Sequence, residues 1–202
     1  MADRRKHIAL NKRITSSTSS AEILSIYGEH GGRDFNEVNL ATAIHRIGKN
    51  ASGASQRSDE DPRLRALLEQ AALSIGHGWK SRELSNTCWA VAKLSLVEPT
   101  LFEAIAAEAP AKMRRFNPQE LANTAWAFAT AGISSPTLFD AIAVEAPARM
   151  RHFKPQDLAN TAWAFATAGI SSPSLFEAIA AEAPAQMRHF KPQALANVVW
   201  AF

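Results

Sequence analysis

The feature that most constrains the fold of this chain is an internal repeat of 37 residues. The fourteen letters "NTAWAFATAGISSP" occupy residues 123–136 and recur at residues 160–173. Between the segments 116–152 and 153–189, 31 of 37 positions carry the same residue. A fixed period of this size is typical of a solenoid, in which each repeat buries its apolar face against its neighbours.

The same period extends over most of the chain. Upstream, Phe35 and Trp79 match the repeat start Phe116, although the first step is 44 residues long. Three series of residues keep the 37-residue spacing: Leu84, Leu121, Leu158 and Leu195; Trp89, Trp126, Trp163 and Trp200; and Pro62, Pro99, Pro136 and Pro173.

Each repeat is predicted to be a pair of antiparallel helices. In the repeat that starts at Phe116, Asn117 suits an N-cap, Pro118 suits the first helical position, and Glu120 completes a capping box. Gly132 stands where a left-handed C-terminal cap is expected, and a second helix follows it. The predicted fold class is therefore all-α, an α-solenoid of 37-residue helix-pair repeats.

The repeat register predicts three parts in the chain. We expect an N-terminal tail at 1–9, a leading helical segment at 10–34 and a helical-repeat solenoid at 35–202, with an enlarged polar loop at 49–61. Since the last repeat stops within its first helix, we expect the sequence to be a fragment of a longer protein. The repeats are expected to start near residues 35, 79, 116, 153 and 190.

The overall composition excludes few functions. The formal net charge is +3 and the pI is about 9.2, which does not by itself demand a polyanionic partner. The single cysteine, Cys88, has no partner for an intrachain disulfide and no companion thiol for a zinc cluster. No uninterrupted apolar run approaches the roughly 20 residues that cross a bilayer, so we expect no membrane contact.

Basic residues recur in the link between one repeat and the next. Stacked once per repeat, they would form a track for the backbone of single-stranded RNA, because phosphate neutralisation supplies most of the sequence-independent affinity. The alternative is a solvated linker whose cations complement helix C-termini and neighbouring acids such as Glu145. The residues are Lys112, Arg114, Arg115, Arg149, Arg151, His152, Lys154, Arg188, His189 and Lys191.

A polar face is predicted on each first helix. At about 100° per residue, Glu120, Asn123 and Thr130 gather opposite the core, and an Asn amide can read base edges because it both donates and accepts. We favour the alternative that the Asn residues form a structural ladder between repeats, since a base code should vary from repeat to repeat. The candidates for either role are Asn86, Asn123, Asn160, Asn197, Glu120, Thr130, Asp157 and Thr167.

The tryptophan series allows two interpretations. Bases stack on aromatic side chains in proteins that bind single strands, and Trp126 lies at the border of the apolar face. Large aromatic residues at helical spacing are more often packing residues. We therefore expect the four tryptophans to pack in the core or between repeats.

Nothing in the sequence predicts catalysis. The copied residues His152 and His189 are spaced along the solenoid, whereas catalytic groups converge on one pocket. Nucleotide-binding loops and metal-binding spacings do not occur in the sequence. We expect no enzymatic activity, no cofactor, no metal site and no small-molecule substrate.

The repeat sequence resembles a known group of helical-repeat proteins. "FNPQELANTAWAFATAG" and "FKPQDLANTAWAFATAG" resemble the octotricopeptide-type repeats of algal and protist organelle proteins. The opening "LNKRITSSTSSAEILSIYGEHGGRDFNEVNLATAIHRIGK" is similar to the start of the repeat region in FAST-kinase-like and RNA-editing-substrate-binding-complex-like proteins. The resemblance covers residues 10–202.

The resemblance implies binding of single-stranded RNA in a mitochondrion or chloroplast. It implies a role in RNA processing, stability or translation within a ribonucleoprotein granule or complex, with protein partners. Many relatives carry a C-terminal RAP domain, which nothing in residues 1–202 matches. The rival prediction is a scaffold for protein–protein interaction, since α-solenoids offer extended surfaces to any partner.

Overall fold

The computed structural model describes residues 2–30, 32–51, 61–76, 78–96 and 98–202. Over these residues it contains eleven α-helices, three 3-10 turns and no β-strand. The chain divides into two compact units, one ending at Ile105 and the other beginning at Ala106. The all-α solenoid class predicted from the repeat period is confirmed.

The first unit is built from two layers of helices. Its helices are α1 (Ala2–Ser16), α2 (Ser20–His30), α3 (Glu37–Asn50), α4 (Pro62–Ser74) and α5 (Ser81–Lys93), and α6 (Pro99–Glu108) spans the boundary between the units. In one layer α3 packs between α1 and α5. In the other layer α2 and α4 contact each other and both contact α3.

The second unit repeats this plan. Its elements are the first 3-10 turn (Pro110–Arg115), α7 (Pro118–Ala131), α8 (Pro136–Glu145), the second 3-10 turn (Pro147–His152), α9 (Pro155–Thr167), α10 (Pro173–Gln186), the third 3-10 turn (Met187–His189) and α11 (Pro192–Ala201). The first helices α7, α9 and α11 pack side by side, and the second helices α8 and α10 contact each other.

Carboxylates close the first turn of three consecutive first helices. In α7 the Asn117 side chain accepts the Glu120 N–H at 2.9 Å, and the Glu120 carboxylate accepts the Asn117 N–H at 2.9 Å. The Asp157 carboxylate likewise accepts the Lys154 N–H at 3.1 Å, and Glu83 accepts the Lys80 N–H at 3.2 Å. These bonds satisfy backbone donors that an α-helix leaves unpaired at its N-terminus.

Glycines end α7 and α9 in the left-handed conformation, as predicted. Gly132 and Gly169 both have φ of 66°. The Ile133 N–H then donates to the Phe128 carbonyl at 3.1 Å, which is the long bond of a Schellman cap. The cap turns the chain sharply, so that the second helix can return along the first.

The core of each repeat combines large residues of both helices with alanines on the first helix. Leu138, Phe139 and Ile142 of α8 are fully buried, as are Leu121 and Phe128 of α7. On α7, Ala122, Ala125 and Ala127 are also fully buried. Alanine side chains allow neighbouring first helices to approach closely, since they add little volume between the two backbones.

The N-terminal tail expected at residues 1–9 is replaced by helix. In α1, Lys6 forms an ion pair with Asp34 at 2.6 Å, and the His7 carbonyl accepts a hydrogen bond from the Asn39 side chain at 3.1 Å. Leu10 is buried, and α1 contacts α3. Residues 3–9 are therefore part of the first helix of an additional helix pair, completed by α2.

The links between repeats are 3-10 turns. Met113 and Met150 anchor the first two of these turns in the core. The helix α8 ends before Pro147, whereas α10 continues past the equivalent Pro184. At the enlarged loop expected at 49–61, α3 continues to Asn50 and α4 begins at Pro62; residues 52–60 lie outside the described residues.

The left-handed cap can be tested at Gly132. We expect Gly132→Ala to lower the free energy of unfolding by about 1 kcal/mol, because an L side chain is strained at positive φ. No atom lies within 4 Å of the added Cβ, so the cost comes from the backbone alone. Gly132→Asn should cost less, since Asn tolerates this conformation. Urea unfolding of both variants measures the difference, and equal costs would contradict the account.

Candidate nucleic-acid interface

One row of side chains on α7 faces solvent. Gln119, Asn123, Trp126 and Thr130 follow one another at helical spacing and lie on one side of the helix. Gln119 and Thr130 are exposed, and Asn123 and Trp126 are half-buried. The row is therefore polar with one aromatic ring near its centre.

The next first helices carry the same row in the same register. On α9, Gln156 and Thr167 are exposed, and Asn160 and Trp163 are half-buried. On α11, Trp200 is 63% exposed. We call these rows together the open face of the second unit: Gln119, Asn123, Trp126, Thr130, Gln156, Asn160, Trp163, Thr167, Gln193, Asn197 and Trp200.

Glu120 and Asp157 do not belong to the open face, contrary to expectation. Both are at least 90% buried, and their carboxylates cap their own helices. Burial raises the pKa of Asp157 above its usual range, against the smaller effect of the Lys154 N–H that it accepts. The first helices have a narrower solvent face than expected, because they pack against one another. For example, α9 is covered on one side by α7 and on the other by α11.

The Asn ladder between repeats does not appear among the hydrogen bonds of the described residues. Asn160 accepts a bond from Gln156 at 2.8 Å, but this bond lies within α9. Asn86, Asn123 and Asn197 are half-buried, each on the solvent side of its first helix. A role of these amides in base contact stays a prediction.

The tryptophans are less buried than a core role requires. Trp89, Trp126 and Trp163 are all half-buried, although the neighbouring Leu121 and Phe128 are fully buried. Trp89 packs between repeats, one of the two expected positions, since its ring lies 5.3 Å from the His45 ring of the neighbouring first helix. The same packing of Trp126 and Trp163 stays a prediction. Both rings lie within the open face, and their exposed parts make base stacking sterically possible.

Arg149 is a structural residue, not part of a phosphate track. Its guanidinium donates to the Phe116 carbonyl at 2.5 Å and lies 3.6 Å from the Glu145 carboxylate. In the next repeat Gln186 takes the same position and donates to the Phe153 carbonyl at 2.9 Å. The side chain at this position therefore joins the end of each repeat to the start of the same repeat.

The other cations of the links are mostly exposed. Lys112 is half-buried and pairs with Glu108 at 2.5 Å, and Arg114 is 93% exposed although its Nε lies 3.3 Å from Glu145. Arg151 donates to the His152 ring at 3.1 Å, a contact that the next repeat copies. We call the exposed set the basic edge: Arg114, Arg115, Arg151, His152, Lys154, Arg188, His189 and Lys191.

The basic edge lies beside the open face of the second unit. Each group of its residues directly precedes the N-terminus of a first helix, at Pro118, Pro155 and Pro192. The N-terminus of an α-helix carries partial positive charge, so the helix ends and the cations act in the same sense. This edge attracts anions, while the open face beside it offers amides and aromatic rings.

The first unit has its own aromatic and basic cluster, which sequence reasoning missed. The His45 ring of α3 lies 5.3 Å from the Trp89 ring of α5, and Lys93 Nζ lies 5.1 Å from the same Trp89 ring. His45 occupies the Trp position of its repeat, so the repeat register is the sequence signal that could have predicted this pair of rings.

The pKa of His45 is lowered from its ordinary value of 6.5. Burial of the ring is the largest cause, because it disfavours the charged imidazolium. Four cations act in the same direction: Lys49, Arg82, Arg46 and Lys93. The neutral ring therefore lies within a positive field.

Two absences among the described residues bear on other classes of function. No described group of three or more His, Cys, Asp or Glu side chains could hold a metal ion. Within the same ranges, none of the helices is both long enough and apolar enough to cross a membrane. The predictions of no enzymatic activity and no cofactor stay predictions.

The stacked helix pairs define the class of protein, an α-solenoid. In its second unit, the first helices carry rows of polar and aromatic side chains that face solvent. The family model for the RNA-editing substrate-binding complex 6 protein matches residues 99–202, just over half of the chain. The chain belongs to this family. The match supports the part of the predicted resemblance that concerns RNA-editing substrate-binding complexes, whereas the octotricopeptide and FAST-kinase parts stay predictions.

The structural role of Arg149 can be tested with the residue that replaces it in the next repeat. Arg149→Gln should retain most of the stability, because Gln186 makes the equivalent bond to a Phe carbonyl. Arg149→Leu should lower the free energy of unfolding by roughly 1–3 kcal/mol, since it leaves a partly buried carbonyl without its donor. Equal stability of the two variants in urea unfolding would refute this role.

The burial of His45 predicts a pH dependence of stability. The pKa of His45 is lower in the folded chain than in the unfolded chain, so the unfolded chain binds more protons. His45 therefore lowers the free energy of unfolding as the pH falls through 6.5. We expect the free energy of unfolding of His45→Gln to fall less than that of the parent between about pH 7.5 and about pH 5. The control is His189→Gln, which removes an exposed histidine; a parent-like slope for both variants would contradict the prediction.

Proposed function

We propose that this protein is a non-catalytic, RNA-binding member of a mitochondrial RNA-editing substrate-binding complex. The observation that carries the proposal is the open face with its adjoining basic edge, repeated in register on α7, α9 and α11. Both lie within residues 99–202, which match the family model. Single-stranded RNA binds across the three rows, with its phosphates along the basic edge and its bases on the open face.

The basic edge supplies the sequence-independent part of the affinity. Arg151, Lys154, Arg188 and Lys191 are exposed and lie at the starts of α9 and α11, where helix N-termini add positive potential. Neutralising phosphates releases counterions, so this part of the affinity falls as the salt concentration rises. Arg149 and Lys112 contribute little, since they are occupied by internal contacts.

The open face holds bases by stacking and by amide contacts. A base on Trp126 or Trp163 stacks on a ring that is already held by its own helix, so little side-chain freedom is lost. Asn and Gln amides flank each ring and can both donate and accept. Because Gln, Asn and Trp are the same on successive rows, we expect binding with little sequence discrimination.

Membership of a complex requires protein contacts besides RNA. The second-helix side of the second unit offers another surface, where Asp140, Val144 and Glu145 of α8 line a shallow pocket that Arg114 of the basic edge borders. Val144 presents an apolar side chain there that is 76% exposed. We propose this side as the contact with protein partners. A location in the chloroplast remains the alternative to the mitochondrion, and roles in RNA stability or translation remain alternatives to editing.

The phosphate track can be tested by the salt dependence of binding. We expect the chain to bind a randomised single-stranded RNA pool with an affinity that falls steeply with salt. In the edge variant, Arg114, Arg151, Arg188 and Lys191 are changed to Gln. Its log–log slope should be shallower by roughly 0.7 for each phosphate contact removed, up to about 3 units.

The control variant removes the same charge elsewhere. Arg4, Arg5, Lys12 and Arg65 are exposed residues of the first unit, belong neither to the basic edge nor to the cations around Trp89, and are changed to Gln. The control should keep the slope of the parent. Equal losses in both variants would show a general charge effect. An absence of salt-dependent binding by the folded parent would overturn the proposal and favour the protein scaffold.

A further inference from the structure

The face of the first unit formed by α3 and α5 differs from the open face of the second unit. In the register of Thr130 and Thr167, α3 carries Lys49 and α5 carries Lys93. In the register of Gln119, α5 carries Arg82. Three exposed cations thus take positions where the second unit has neutral polar residues. These helices lie outside residues 99–202, so the family match does not account for them.

Two aromatic rings lie at the centre of these cations. The Trp89 and His45 rings are 5.3 Å apart and tilted by 51°, so they form an angled pair on neighbouring helices. Both rings are half-buried, which leaves part of their surface open to a ligand. Lys93 Nζ is 5.1 Å from the Trp89 ring, within the range of a cation–π contact.

The charges around the rings select an anion. Lys49, Arg82 and Lys93 all lower the pKa of His45, because they make the electrostatic potential at the ring positive. The lowered pKa keeps the His45 ring neutral, so its nitrogens can donate one hydrogen bond and accept another. A flat apolar ring, a neutral donor and acceptor, and several cations together fit a nucleotide better than an acidic peptide, which has no ring to stack.

We propose that α3 and α5 form a second RNA-contact site, in which one unpaired nucleotide stacks on Trp89 beside His45 and its phosphates contact Lys49, Arg82 and Lys93. The inference rests on the proposed function in taking single-stranded RNA as the ligand. It extends that function to a segment that the family model does not cover. Lys93 leaves its contact with the ring to reach a phosphate, while the base takes its place over the indole.

The test follows the indole N–H signals of the five tryptophans by NMR during titration with a short oligouridylate. Trp89→Phe assigns the Trp89 signal, and equivalent substitutions assign Trp126 and Trp163. We expect the Trp89 signal to shift with RNA and to saturate. In the variant Lys49→Gln, Arg82→Gln, Lys93→Gln, the salt slope measured at this signal should fall by about 2 units, at roughly 0.7 per phosphate contact.

The matched control removes three exposed cations from α1, with Arg4, Arg5 and Lys12 changed to Gln. It should bind like the parent. A second variant, Trp89→Leu, keeps apolar volume but removes the stacking surface, and it should weaken binding roughly tenfold. Because the three lysine and arginine changes lie on the surface, their result stands even if Trp89→Leu fails to fold.

The outcomes separate the inference from the proposed function. If the Trp126 and Trp163 signals shift while Trp89 stays unchanged, the inference is overturned and the proposed function stands. If none of the three shifts at saturating RNA, both are overturned. If an oligoglutamate of equal charge shifts the Trp89 signal with the same affinity, the site is a general anion surface and the nucleotide assignment is wrong. A shift at Trp89 with RNA alone supports the inference.

Discussion

The structure depends on the direct packing of each first helix against the next first helix of its unit. This packing uses small residues at the contact: Ala159 of α9 shares a buried cluster with Ala194 of α11, and a Cβ added to Gly48 of α3 would lie 2.7 Å from the Ala90 Cβ of α5. Larger side chains would hold the helices apart. A helix such as α9 is then covered by two neighbouring first helices and by α10, which leaves one narrow row open. The chemistry of the surface is therefore set by a few positions per repeat, and Asn160 and Trp163 are two of them.

The register of those positions is maintained by contacts in the 3-10 turns. Arg149 and Gln186 both donate to the carbonyl of the Phe that starts their own repeat, at distances of 2.5 and 2.9 Å. A different side chain, without a charge, thus makes the same bond in the next repeat. Because each turn is fixed to the start of its own repeat, the cations that follow Met150 are presented at the same end of each first helix.

The sequence predicted the fold better than it predicted the surface. The period, the caps at Asn117 and Gly132 and the buried residues of α8 follow from local rules and are present in the structure. In the predicted polar face, Asn123 and Thr130 lie in the solvent-facing row, whereas Glu120 is buried and Gln119 takes its place in the row. A helical wheel built on Leu121 assumes one buried side, whereas α7 is buried on more than one side. The structural role of Arg149 could not be predicted, because its partner Phe116 lies 33 residues earlier in the chain and leaves no local pattern.

The central claim is that RNA crosses the open rows of the first helices. Photo-crosslinking of a single-stranded RNA that carries thiouridine, followed by mass spectrometry of the crosslinked peptides, tests it directly. The account predicts crosslinks within α7 and α9, at the residues of the open face, and within the basic edge that precedes each helix. Crosslinks concentrated on α8 and α10, with the first helices unmodified, would contradict it.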